Sequence, residues 1–343
     1  MSKYLLLFIA FSYSCCSCSK KDSSSGTNNT PPSNLSVSAT VSTDSSGNVT
    51  FTASATNAVS YDYDFGNGIF QTVVSGVVTY KYPATGVYTV NVIAKSAGGQ
   101  TISKSITITV SVTLALVWSE EFDTPGLPNA SKWGYDIGTG SGGWGNNELE
   151  YYTNRIQNAE VTGGYLKITA TKENYNGSAY TSARLLTKDK FSFKYGKIDV
   201  RAKLPAGVGT WPAIWMLGNN INTAGWPACG EADIMEHRGS ELNKIFGTLH
   251  YPGRSGSNGD GTTVMITNAT TQFHDYILEW TPAAIKFYVD TQLFYTVTNT
   301  SSLPFNQNFF IILNLAMGGN FGGPVDPAFT TDTMLVDYVR VYQ

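Results

Sequence analysis

Lys197-Ile198-Asp199-Val200-Arg201-Ala202-Lys203 alternates charged and apolar side chains one for one. A period of two is the mark of a strand with one face in a core and the other toward water. Tyr165-Leu166-Lys167-Ile168-Thr169-Ala170-Thr171 and Ala284-Ile285-Lys286-Phe287-Tyr288-Val289-Asp290 are short aromatic or β-branched runs of the same kind. Loops rich in Gly and Asn separate such runs from Trp118 to Gln343, and no long helical period interrupts them. So many strands over this length predict an all-β unit built as a two-sheet β-jelly-roll sandwich.

The chain has 343 residues, which suggests two domains, each long enough to bury a core. Charged residues are 14% and aromatics 13%, while 22 Lys+Arg against 25 Asp+Glu leave a net charge of −3. No basic field exists to hold nucleic acid. The early apolar run Tyr4–Phe11 is too short to span a bilayer. The composition excludes a membrane transporter and a coiled coil, and suits a secreted β protein.

Lys3 followed by Tyr4–Phe11 has the form of a secretory signal, and Cys15, Cys16 and Cys18 crowd behind it. Ser17-Cys18-Ser19-Lys20-Lys21-Asp22 resembles a bacterial lipoprotein export site, with Cys15 a second candidate; the alternative is an ordinary cleaved signal. Residues 1–18 are therefore expected as signal and lipobox. An acylated Cys carries the more than one chain that stable anchoring needs. Residues 19–33, with Ser23-Ser24-Ser25-Gly26 and Pro31-Pro32, are expected as a tether. Cys229 is the sole cysteine beyond the cluster, so no disulfide can form within the folded body. It reads as a small buried hydrophobe.

From 34 to 112 short alternating strands and Gly turns predict a small β-sandwich. Tyr63-Asp64-Phe65-Gly66-Asn67-Gly68, followed by Gly86-Val87-Tyr88-Thr89-Val90, resembles the PKD-type immunoglobulin-like module. The family's Trp-Asp-Phe-Gly-Asp-Gly is altered at Tyr63 and Asn67. The resemblance implies a spacer or a weak sugar-binding module. Residues 113–343 form the larger unit.

Chemistry concentrates in Gly230-Glu231-Ala232-Asp233-Ile234-Met235-Glu236. Alternation puts Glu231 and Asp233 on one face and Ala232 and Ile234 in the core. It would also bury Glu236 unpaired, which a carboxylate does not tolerate. One extra residue in a β-bulge near Met235 returns Glu236 to the acidic face. Glu231 and Glu236 would then be about four residues apart, or ~13 Å along the strand. Side chains leaning inward would bring the carboxyls to ~5 Å, the separation of retaining glycosidases. A solvated acidic strand or a calcium patch is the alternative.

The flanks Lys194–Pro205, Thr210-Trp211-Pro212-Ala213-Ile214-Trp215-Met216-Leu217 and Gly225-Trp226-Pro227-Ala228-Cys229-Gly230 decide between them. With Glu-x-Asp-x-x-Glu they closely resemble glycoside hydrolase family 16, above all its bacterial laminarinase-like endo-β-1,3-glucanases. The resemblance covers nearly all of Trp118–Gln343 and implies a concanavalin A-like jelly roll. It implies Glu231 as nucleophile, Asp233 as its assistant and Glu236 as acid/base. Most relatives have Ile where this chain has Ala232.

By the same resemblance Trp215, Trp226 and Trp211 line a sugar groove, since Trp faces pack on sugar C–H groups. Asn147, within Gly140–Tyr152, is placed as a ligand of a sugar hydroxyl. Arg184 is placed as a sugar contact, with a surface salt bridge as the alternative. His250 is placed as a groove histidine, with a satisfied core histidine as the alternative. His237 should point away from the groove. No His/Cys ligand spacing calls for a catalytic metal. Relatives imply a structural Ca²⁺ held by Asp337 with ligands near Glu121 and Gly164.

The expectation is a monomeric retaining endo-β-1,3-glucan hydrolase that needs no catalytic cofactor. It is exported, and held at the outer membrane or cell surface by a lipid anchor, or else secreted. Its partner is a β-glucan polysaccharide. Mixed-linkage β-1,3-1,4-glucanase and galactan hydrolase are the enzymatic rivals; a carbohydrate-binding lectin is the non-enzymatic one.

Overall fold

The computed structural model describes residues 30–343. The signal, the three clustered cysteines and most of the tether lie outside the described residues. Ser33–Val110 forms two small sheets. One orders Ser33–Val41, Asn48–Thr56 and Val77–Lys81; the other orders Phe70–Val73, Ser60–Asp64, Gly86–Lys95 and Thr101–Val110. Alternate residues Val49, Phe51 and Ala53 share one buried core with Val90, Val92 and Ala94. Tyr63 is fully buried there, its hydroxyl donating to Gly76 O at 2.6 Å. Asn67 is buried and donates to the Tyr80 hydroxyl at 2.9 Å. The two residues that depart from the PKD pattern are thus core parts.

The larger unit stacks two sheets. The ten-stranded sheet orders Glu150–Tyr152, Ser178–Ser182, Tyr165–Tyr175, Thr331–Tyr342, Gly196–Lys203, His274–Trp280, Ala284–Val289 and Gln292–Thr298, with Ala159–Thr162 and Leu116–Glu120 paired onto it. The seven-stranded sheet orders Asp260–Met265, Lys244–His250, Glu231–His237, Thr210–Gly218, Phe309–Met317, Arg184–Leu186 and Gly134–Asp136. Ile198, Val200 and Ala202 from the first meet Ile234, Met235, Ile214 and Leu313 from the second in one continuous core. Each Ile, Val, Leu or Met side chain there contributes about 1.5–3 kcal/mol on leaving water.

Alternation fails where both faces of a strand are covered. All nine residues of Phe309–Met317 are buried. One face joins the intersheet core, and Phe310 and Ile312 on the other pack with Leu217 and Cys229. Cys229 is fully buried, and burial pushes its thiol up to about 11, so it is inert as expected.

Candidate active site

The acidic strand Glu231–His237 lies beside Thr210–Gly218 on one side and Lys244–His250 on the other. Its register shows the bulge. Asp233 pairs with Thr248 and Glu236 with Phe246, so three steps on one strand match two on the other. Against Thr210–Gly218, Asp233 meets Trp215 and Met235 meets Ile214, which leaves Ile234 as the extra residue. Ile234 and Met235 are both fully buried. Two successive side chains enter the core, and Glu236 emerges on the face of Glu231 and Asp233.

Each glutamate accepts an indole N–H. Trp226 Nε1 lies 3.0 Å from Glu231 Oε2, and Trp211 Nε1 lies 2.9 Å from Glu236 Oε1. His250, paired across the ladder with Glu231, puts Nε2 at 3.2 Å from Asp233 Oδ2 and 3.8 Å from Glu231 Oε1. Asp233 is only 4% exposed and Glu236 9%. Desolvation raises Glu231 well above the usual carboxylate range, and the neighbouring Asp233 raises it further. Asp233 is raised by burial and then by Glu236. Burial also raises Glu236, against the Trp211 N–H, which favours its anion.

Three crowded acids cannot all ionise at neutral pH, so they titrate as a set. Asp233 and Glu231 are in hydrogen-bonding contact, and a proton between them can sit on either. With that proton on Asp233, Glu231 is a free anion beside an acid on Glu236. That is the state a double displacement needs.

Glu231, Asp233 and His250 offer ligand atoms within 4.8 Å of one another, a set that could hold a cation. A cation would compete for carboxylate lone pairs with the indole N–H already on Glu231.

The groove residues part company. Trp226 is half exposed, with its ring 5.9 Å from that of His250. Trp215 is partly buried and donates to Asn314 Oδ1 at 2.8 Å. Trp211 corrects the expectation: it is 8% exposed, packed on Phe321 at 5.1 Å, and serves Glu236 rather than offering a face to a sugar. Arg184 does form a salt bridge, Nε to Asp136 Oδ2 at 3.0 Å, yet not on open surface. Its guanidinium lies 4.7 Å from the Trp144 ring centre and 4.8 Å from that of Trp215. Asn147 sits exposed in the left-handed region and donates to Asn320 Oδ1 at 2.9 Å. His237 is fully buried, and desolvation lowers it to about 4, so it is a neutral core group.

Asn314, Phe321 and Phe246 were not legible as site residues. Asn314 had a signal: it is the lone polar side chain among Phe309–Met317, and a buried amide requires partners. Nothing in the sequence identified Trp211 and Trp215 as those that would face Glu236 and Asn314.

The expected calcium ligands lie along one stretch of the ten-stranded sheet. Leu166 lies opposite Val336 and Glu120 opposite Val339, so Gly164 and Glu121 border the same part of the strand as Asp337. The two carboxylates are engaged there. Asp337 is paired with Arg201, and Arg340 holds Glu121 through two bonds of 3.1 and 2.8 Å.

The model of glycosyl hydrolases family 16 matches residues 146–340. That of the beta-glucan synthesis-associated proteins SKN1/KRE6/Sbg1 matches 55–234, stopping short of Glu236. The chain is 47% identical over 244 residues to a beta-glucanase of Rhodothermus marinus, spanning 66% of this chain and 85% of that protein. It is 39% identical over 250 residues to a glucan endo-1,3-beta-glucosidase of Cryptopygus antarcticus, spanning 66% and 90%. The solved laminarinase of Rhodothermus marinus superposes with a TM-score of 0.65 at 46% identity, over 67% of this chain and 98% of that one.

Proposed function

The chain belongs to glycosyl hydrolase family 16, and from that membership we infer that it cleaves β-1,3-glucan of the laminarin type within the chain. It is a glycoside hydrolase. The observation that carries the reading is the acidic strand itself: three carboxyls on one face, with an indole N–H on each glutamate and His250 against the aspartate.

In the proposed mechanism Glu231 attacks the anomeric carbon while Glu236 gives its proton to the departing glycosidic oxygen. The bond to the leaving sugar breaks and a glycosyl ester forms on Glu231. Glu236, now a base, takes a proton from water, which attacks the same carbon and releases Glu231. Asp233 holds the shared proton away from Glu231, and the Trp226 N–H fixes the attacking carboxylate. Retention follows from two displacements. No step calls on a cofactor.

The test is product release from laminarin, lichenan, agarose and carrageenan in parallel. Oligosaccharides from laminarin first and fastest are expected. Release from lichenan alone would make it a mixed-linkage enzyme, and from the galactans alone a galactan hydrolase. Binding of laminarin without release would make it a lectin.

A structural calcium ion is part of the proposal, beside Glu121, Gly164 and Asp337. The carboxylates as placed do not fit a cation, because arginines hold them. Main-chain carbonyls would have to supply the oxygens Ca²⁺ needs. EDTA is then expected to lower the melting temperature, since an ion bound only to the fold stabilises by RT ln(1 + [L]/Kd). Turnover at low temperature should be nearly unchanged. An unaltered melting temperature would remove the ion from the account; loss of turnover in the folded protein would make it catalytic.

The first unit is proposed as a PKD-type spacer. Export through one of Cys15, Cys16 or Cys18 to the cell surface, and a monomeric state, complete the proposal.

A further inference from the structure

Glu150 is fully buried. Its Oε2 accepts the Met317 N–H at 2.7 Å, while its Oε1 meets no donor among the described residues. The Glu148 carboxyl faces it at hydrogen-bonding contact. Two carboxylates offer each other only acceptors, so such a contact holds only with a proton between them.

Glu148 carries that link outward. Its Oε2 accepts the Tyr152 hydroxyl at 2.9 Å. The Tyr152 oxygen accepts Asn314 Nδ2 at 3.0 Å, and Asn314 Oδ1 accepts the Trp215 indole at 2.8 Å. Trp215 pairs across the ladder with Asp233. The same carboxyls sit where two turns join: Glu148 bridges to Gly318, and Asn147 is bonded to Asn320.

We propose that Glu148 and Glu150 share one proton and, as a pair, position the groove: Trp215 through Tyr152 and Asn314, and the turn after Met317 through its main chain. This rests on the glucan-hydrolase reading. Both are positioning residues, since they act on the groove through Tyr152, Asn314 and Met317.

The groups facing the pair are few. Tyr152 lies on its own segment, and Arg184 comes from the neighbouring sheet with its partner Asp136. Phe309–Met317 contributes Asn314 and the Met317 N–H, neither of which titrates. Burial first, and then Glu148, raises Glu150. A raised carboxyl is neutral in the fold where it would ionise unfolded, so its contribution to stability falls as pH rises. Loss of the shared proton would set two carboxylates, Glu150's fully buried, in repulsive contact and draw Glu148 away from the Tyr152 hydroxyl, and so from Asn314.

The experiment uses the full chain and E150Q, whose amide replaces the shared proton with a permanent N–H donor. Melting temperature and laminarin kcat and KM are followed from about pH 6 to about pH 9. For the wild type, KM is expected to rise about tenfold, short of the ~100-fold that a 1 Å misplacement of a positioning group costs. E150Q should show a KM independent of pH, and its melting temperature should gain on the wild type as pH rises. A constant gap in melting temperature overturns the shared proton. A growing gap with identical KM profiles overturns the positioning role and leaves a structural pair. Absence of laminarin cleavage by the wild type would instead fell the glucan-hydrolase reading and the positioning role with it. The melting series would still decide the shared proton.

Discussion

Glu231→Ala is expected to lower turnover of laminarin by roughly 10⁴–10⁶-fold, the range seen when one member of a cooperating catalytic set is removed. Azide should restore activity, because the vacated space lets a small anion reach the anomeric carbon from the side Glu231 occupied. The product should be an α-glycosyl azide, the outcome of one displacement. Glu236→Ala should behave differently. With a very good leaving group the ester on the intact Glu231 still forms, and azide then attacks it to give a β-azide. NMR of the two azides distinguishes the roles. An α-azide from Glu236→Ala and a β-azide from Glu231→Ala would exchange the assignments. The pH profile should carry the same stamp. Glu231 must be ionised and Glu236 protonated, and burial raises both, so both limbs should lie above the usual range for exposed glutamates.

Inserting one residue after Met235 is expected to cost about 10³–10⁴-fold in kcat, the worth of a general acid. The insertion moves Glu236 along by ~3.3 Å and turns it to the opposite face of the sheet. Its bond from Trp211 would be lost, and the carboxyl would enter the core where Ile234 and Met235 now pack. Deleting Met235 should be gentler. Glu231, Asp233 and Glu236 would then follow strict alternation and still share a face. The deletion removes a fully buried side chain, which typically costs 2–5 kcal/mol. His237, fully buried now, would keep its core side. A folded but weakened protein with residual hydrolysis is expected, read by circular dichroism melting and reducing-sugar release. An insertion variant with wild-type kcat and retained stereochemistry would remove the bulge from the mechanism and move the acid/base role off Glu236.

Local pattern alone determined much of this protein. Alternation in Lys197–Lys203 identified strands, and alternation broken against the solvation cost of Glu236 located a bulge near Met235. Both depend only on the two-residue period of extended backbone, which needs no knowledge of neighbours. The family resemblance added the roles of the acids. What tertiary structure alone decided is which side chain meets which. Trp211, Trp215 and Trp226 share a residue type and similar flanks, yet strand pairing gives the first to Glu236 and the second to Asn314, while the turn before the acidic strand gives the third to Glu231. Asp337 was expected to hold a cation; the strand beside it presents Arg201, 136 positions away in sequence. Glu150 reaches the Met317 main chain across 167 positions. Such long-range partners are set by which strands pair and in what register, and for Glu150 by how the two sheets close on one another, a choice that no short window of sequence contains.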